Sequence, residues 1–283
     1  MNNIRVGQVN SLGEGKLYGG VYGNGYDLLK NAGFDCTDVG GLSGETEAER
    51  DAKAKRERDE IMRRGLVPIC YHSIFLKPWA SVDENIRLQE PHMQCARGQG
   101  ARLFLVHAVW DNFKCYDLSS AGARDRQFKF DVRTLGALAR RTADFGLRLV
   151  VENNPLFPPD YYLDIIENLP AELCGAILDT GHANLQPAGF AMPTPEIIAR
   201  LGSRLEHLHL NDNDGIDDQH LPVLCTYGTM DWNSIFRALR QIRYQGVLNE
   251  ELPPITGIAW TAWSLLKRKA QPLRDLWDRC CNR

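Results

Sequence analysis

Apolar residues along this chain gather in short runs, and longer stretches with helical periodicity lie between them. Eight runs stand out: IRVGQV (4–9), FDCTDVG (34–40), LVPICYH (66–72), RLFLVHA (102–108), LRLVVEN (147–153), CGAILDT (174–180), LEHLHLN (205–211) and GVLNEEL (246–252). The intervening pattern predicts helices at 46–64, 83–98, 131–145, 158–168, 195–202, 232–244 and 258–278. The first opens on the capping box Thr46-x-x-Glu49 and closes at Gly65. Strands that alternate with helices over short loops pair in parallel through crossover connections. Eight such units in 283 residues predict an α/β fold, a (β/α)8 TIM barrel in one domain over 1–283. A doubly wound open sheet is the rival architecture.

The polar exceptions to this pattern fall at the strand ends. Glu152 ends the fifth run, Asp179 the sixth, His209 the seventh and Glu251 the eighth, at spacings of 27, 30 and 42 residues. The first two spacings are about one βα unit of roughly 30 residues, and the third contains the insertion DNDGIDDQHLPVLCTYG. Strand parity puts His207 and His209 on one face, with Leu208 and Leu210 on the other. By the same rule Val247, Asn249 and Glu251 share the inner face, so Glu251 rather than Glu250 belongs to the site. One carboxylate at a strand end is ordinarily a cap or a surface ion pair, and a lone histidine is ordinarily structural. Four ligand-type residues on successive strands point instead to a metal site at the C-terminal mouth of a barrel. His72, His107, His182, Asp218 and His220 fall on strand ends or the loops after them, whereas His92 alone among the histidines falls on a predicted helix.

Composition narrows the classes. The hydrophobic share is 43% and the charged share 24%, ordinary for a globular protein with a sizeable core. A net charge of −3 gives no sign of a polyanionic partner. The amino-terminal segment has no signal-peptide core, and no apolar run reaches the ~18 residues of a membrane span, so neither secretion nor membrane insertion is expected. Eight cysteines without a C-x-x-C pair fit reduced thiols and a cytoplasmic location. The glycine-rich segment SLGEGKLYGGVYGNGYD lacks phosphate-loop spacing and reads as a flexible loop or closing lid.

The motifs VVENNP, LDTGHANL, HLHLNDND, DDQHLP…YGTMDW and GVLNEEL together resemble the xylose isomerase-like TIM barrels over nearly the whole chain. That superfamily groups sugar and sugar-phosphate isomerases and epimerases, related dehydratases, and abasic-site endonucleases of the endonuclease IV type. The resemblance implies one divalent ion, Mn2+ first, with Zn2+, Mg2+ or Co2+ as alternatives, held by Glu152, Asp179, His209 and Glu251. It also implies an isomerase or epimerase in which Glu152 and Glu251 move an α-proton of a small sugar-like hydroxy-ketone. His72, His107, Trp110, His182, Asp218 and His220 are then expected to form the substrate shell. A dehydratase or lyase using the same site is the first alternative. The second is the nuclease, whose relatives use nine ligands for three zinc ions; His72, His107, His182, Asp218 and His220 join the four metal candidates to match all nine. The arginine that ketose epimerases carry after strand 7 is missing from GIDDQH. The low net charge and the aromatic, apolar AVWDNF segment argue against a nucleic-acid partner. A homo-oligomer is compatible with the sequence.

Overall fold

The computed structural model of the chain describes residues 4–9, 25–42, 44–108, 121–155, 157–186, 191–252 and 270–281. Its strands are β1 (Arg5–Val9), β2 (Cys36–Gly40), β3 (Val67–His72), β4 (Leu103–His107), β5 (Arg148–Glu152), β6 (Cys174–Asp179), β7 (Leu205–His209) and β8 (Val247–Glu250). Each falls within two residues of its expected run. They form one eight-stranded sheet in the order β7-β6-β5-β4-β3-β2-β1-β8. The ring closes between β7 and β8: Leu210 N donates to Asn249 O at 2.7 Å, and Glu251 N donates to Leu210 O at 3.1 Å. This closure makes the fold a TIM barrel, because a doubly wound sheet would leave two edge strands unpaired.

The helices are α1 (Gly25–Asn31), α2 (Glu47–Arg63), α3 (Val82–Gln99), α4 (Ala121–Asp144), α5 (Pro159–Asn168), α6 (Thr180–Asn184), α7 (Thr194–Leu201), α8 (Trp232–Gln241) and α9 (Ala270–Cys281). The capping box of α2 forms as expected, with Glu49 N donating to Thr46 Oγ1 at 3.3 Å and Thr46 N to Glu49 Oε2 at 3.1 Å. Two differences have local causes. The short helices α1 and α6 were not expected, since neither spans enough turns to show a period. Helix α4 begins ten residues before the expected 131, in a polar stretch tied to α5 by Arg124 Nη2 donating to Asp160 Oδ2 at 2.8 Å and by Phe128 edge-on to Tyr161. Helix α9 covers the described part of the helix expected at 258–278; residues 253–269 lie outside the described residues, as does most of the glycine-rich segment read as a lid. Among the described residues no helix is long and apolar enough to cross a membrane.

Two apolar layers surround the strands. The larger fills the space between barrel and helices and takes residues from all eight strand neighbourhoods. The smaller fills the lumen with Cys36, Ile69, Leu105, Val150, Ile177 and Val247. Strands buried on both faces explain runs such as Leu149–Val150–Val151, each 0% exposed. Inward positions on β4 and β6 are therefore apolar until the final residue, where His107 and Asp179 appear, and on β5 the apolar Val150 separates Arg148 at the N-terminal mouth from Glu152 at the other. The lumen has no spare room at Gly7 of β1, where a Cβ would lie 2.5 Å from Asn249 Oδ1 and 2.8 Å from Cys36 Sγ. Gly7→Ala is expected to lower the unfolding free energy by ~1–3 kcal/mol, the usual cost of overpacking, read from denaturant melts.

Candidate metal centre

The sheet register turns four strand ends into one constellation. His107 pairs with Glu152 across β4–β5, and Asp179 with His209 across β6–β7, while Glu152 pairs with Ile177, two residues before Asp179. That step is the stagger a tilted barrel requires, and it brings the last residues to one mouth. Glu152, Asp179, His209 and Glu251 each offer a ligand atom, and these atoms lie within 4.8 Å of one another. Glu152, Asp179 and His209 are buried, and the Glu251 side chain is 16% exposed, so the cluster faces solvent through Glu251. His209 Nδ1 lies 2.7 Å from Glu152 Oε1 and 2.8 Å from Glu251 Oε2. Glu250 lies across the strand, as parity requires, and is also buried.

The surrounding chain holds these groups still. Asp179 Oδ1 accepts His182 N at 2.7 Å and so caps α6, and its Oδ2 accepts Asn211 Nδ2 at 2.7 Å. Asn153, next to Glu152, bridges to β6, donating to Asp179 O at 2.9 Å and accepting Asp179 N at 2.7 Å. Thr180 Oγ1 donates to Asn211 O at 2.8 Å, tying α6 to the end of β7. The three asparagine and threonine braces were not identified from sequence, although amides adjoining Glu152 and His209 are a visible signal.

The aspartate-rich loop after β7 divides its acids between scaffold and site. Asp212 is structural: Oδ1 accepts Asn213 N at 2.9 Å and Thr229 N at 3.0 Å, and Oδ2 accepts Trp232 Nε1 at 2.7 Å. Gly228 permits this seat, since a Cβ there would lie 2.1 Å from the Asp212 carboxylate. Asp214 accepts Ile216 N at 2.9 Å and Asp217 N at 3.1 Å, a local turn. Asp218 alone of these acids reaches the mouth, where His182 Nε2 and His220 Nε2 each lie 3.3 Å from its Oδ2. His182 Nδ1 hydrogen-bonds Asn153 O at 2.9 Å and His220 Nδ1 hydrogen-bonds Glu251 O at 3.2 Å. A carbonyl can only accept, so both rings carry a proton on Nδ1 and direct Nε2 into the cluster.

On the other flank, His107 Nε2 lies 2.8 Å from Glu152 Oε2, and His72 Nε2 lies 3.9 Å from both Glu152 Oε2 and Glu251 Oε1. The His72 ring stacks on His209 at 5.7 Å, and Phe75 covers His107 at 4.5 Å. Thus His72, His107 and Glu152 make one further group of metal-ligand type, and His182, Asp218 and His220 another. Trp110, expected in the substrate shell, lies outside the described residues. A cavity of about 1280 Å³ opens at the opposite, N-terminal mouth. Its rim carries arginines and the Arg148–Glu206 pair, in which Arg148 Nε lies 2.6 Å from Glu206 Oε1, and it carries none of the four-residue metal cluster.

Electrostatics fit a cation. Burial, then the charges of Glu251 and Glu152, push Asp179 up to about 6, against the opposing pull of His182. Burial would push His182 down, but the charge of Asp179 and the hydrogen bond that His182 donates to Asp218 raise it to about 10. His220 rises to about 9, again against burial, chiefly through Asp218. Burial also opposes the shift of His209, which Glu251, Glu152 and Asp38 hold well above 6.5. Three carboxylates with one imidazole form a hard, oxygen-rich donor set suited to Mn2+, Mg2+, Co2+ or Zn2+.

The chain belongs to the xylose isomerase-like TIM barrel family, whose model matches residues 26–269. It is 28% identical to an uncharacterized protein of Methanocaldococcus jannaschii over 68% of this chain and 67% of that one. Its fold is similar to the crystal structure of a D-tagatose 3-epimerase-like protein, with TM-score 0.73, 18% identity and 98% of each chain covered. It is also similar to the structure of L-ribulose 3-epimerase, with TM-score 0.76, 17% identity, and 98% of this chain and 95% of that one covered. At those identities the likeness is one of fold.

An ion entering this cluster must displace the proton that the neighbouring carboxylates hold on His209. Affinity for a divalent ion is therefore expected to increase with pH, by about tenfold per unit for each proton released, in titrations of metal-free protein between about pH 6 and pH 8. A flat profile would contradict the role of His209.

Proposed function

We propose that the protein is a divalent-metal-dependent isomerase or epimerase of a sugar or sugar-like hydroxy-ketone, with Glu152 and Glu251 moving the proton. The observation that carries this reading is the meeting of two carboxylates, from β5 and from just after β8, at one nitrogen of His209, with Asp179 beside them. A bound divalent ion would polarise the substrate carbonyl and acidify the neighbouring C–H bond. Glu152 and Glu251 stand where one can remove that proton and the other return it, to the opposite face or to the next carbon. A base must be ionised, and against burial His209 and His107 hold Glu152 well below the usual carboxylate range; His209 likewise holds Glu251 down to about 2. His72, His107, His182, Asp218 and His220 are then the substrate shell, binding hydroxyl groups as donors and acceptors. Trp110 is assigned to the same shell from sequence. Fold neighbours named as sugar 3-epimerases support the class of substrate. A dehydratase would begin with the same proton abstraction and differ in the product.

A second reading has its own observation. His72, His107 and Glu152, and separately His182, Asp218 and His220, could each hold a further ion, which would favour three-metal phosphodiester hydrolysis. Electrostatics favour a single ion: one divalent cation already offsets most of the charge on Glu152, Asp179 and Glu251, leaving Asp218 as the acid to attract more.

Two outcomes are expected. Glu251→Gln is expected to fold normally and to lose substrate α-proton exchange with deuterated solvent by ~10²–10⁴-fold, read by NMR or mass spectrometry; full exchange in that variant would end its acid–base role. Metal analysis is expected to find about one ion per chain, whereas three tightly held zinc ions with cleavage of abasic duplex DNA would establish the nuclease.

A further inference from the structure

Asp38 stands outside the ligand set above, in the run FDCTDVG. It lies on β2 and is 1% exposed. Its Oδ2 faces three nitrogens: His207 Nε2 at 2.8 Å, His209 Nε2 at 3.1 Å and Asn249 Nδ2 at 3.2 Å. Its Oδ1 accepts no hydrogen bond among the described residues, and neither does His207 Nδ1. A buried carboxylate is strongly destabilising unless its neighbours compensate it. Here that compensation is concentrated on one oxygen, and that oxygen touches the back of His209.

The two histidines then have separate duties. With a proton on Nε2 donated to Asp38, His209 would turn its Nδ1 lone pair to an ion beside Glu152 and Glu251 once that ion displaces the Nδ1 proton. His207 makes its side-chain hydrogen bond to Asp38 and lies wholly buried. Together with Asn249 it fixes the carboxylate that fixes the ligand. Imidazole ligands whose second nitrogen donates to a carboxylate are held in one tautomer and one ring orientation, and losing that partner weakens metal binding.

We propose that Asp38 is a positioning residue of the metal centre, setting the tautomer and aim of His209, with His207 and Asn249 as its clamp. This rests on the reading of Glu152, Asp179, His209 and Glu251 as metal ligands. Asp38, His207 and His209 could also be taken for a metal site of their own. The 2.8 and 3.1 Å separations are those of hydrogen bonds, and a second ion there would compete for His209 with the first.

The test uses full-length protein freed of metal and titrated with Co2+ and Mn2+, following the visible spectrum of Co2+ and the melting temperature of each metal-free form. Asp38→Asn keeps the shape and is expected to melt near wild type, to bind either ion about 10–100-fold more weakly, and to shift the Co2+ bands. His207→Leu is expected to move affinity and bands in the same direction by a smaller factor, and it decides the matter if Asp38→Asn does not fold. If wild-type protein binds no divalent ion, the metal reading itself fails. If wild type binds one ion and the folded variants match its affinity and spectrum, the role of Asp38 is overturned. Loss of a second tightly held ion from wild-type stoichiometry would overturn it too, in favour of an ion at Asp38.

Discussion

The mouth of this barrel depends on one imidazole held between opposing carboxylates. His209 meets Glu152 and Glu251 through Nδ1 and Asp38 through Nε2, and all of these groups except Glu251 are fully buried. Buried charge is tolerated only where it is paired and hydrogen-bonded. The asparagine and threonine braces, the capping of α6 by Asp179 and the closure of the ring at Leu210 all bear on that arrangement. Removing the imidazole would leave carboxylates facing one another in a dry interior.

The TIM barrel supplies the means. The last inward residues of β4, β5, β6 and β7 emerge at one level, set by the stagger of the ring. Stability and chemistry are thereby divided along the barrel axis: Val150, Ile177 and Leu105 fill the lumen below, and the ligand-type residues stand above. The loop after β7 repeats this division within a few residues. Asp212 folds the loop by accepting four N–H donors, and that fold delivers Asp218 and His220 to the cluster.

The histidine-rich flanks explain why one site supports both a proton-transfer reading and a hydrolytic one. On one flank the Nε2 atoms of His182 and His220, anchored from behind by carbonyls, can donate to hydroxyl groups or, on losing their proton, hold a metal ion. The number of cations the acids can attract separates the two, and the central cluster holds three carboxylates where each flank adds few.

The sequence by itself determined the eight strands and their parallel sense, and it put Glu152, Asp179, His209 and Glu251 at successive strand ends, because period and parity are local properties; closure of the ring at Leu210 then brought those ends together. It also determined Glu251 over Glu250 for that cluster, since a one-residue step reverses the face. Only the tertiary structure decided what stands behind those residues. Asp38 and His209 are 171 positions apart, and nothing local to FDCTDVG distinguishes an acid aimed into the lumen at a histidine from one at a surface edge. The split of the loop aspartates into scaffold and site was likewise undecidable from composition, because Asp212 and Asp218 differ only in which N–H groups or histidines the fold brings to them. Side-chain roles of this kind arise from contacts between distant strands, and those exist only once the ring has closed.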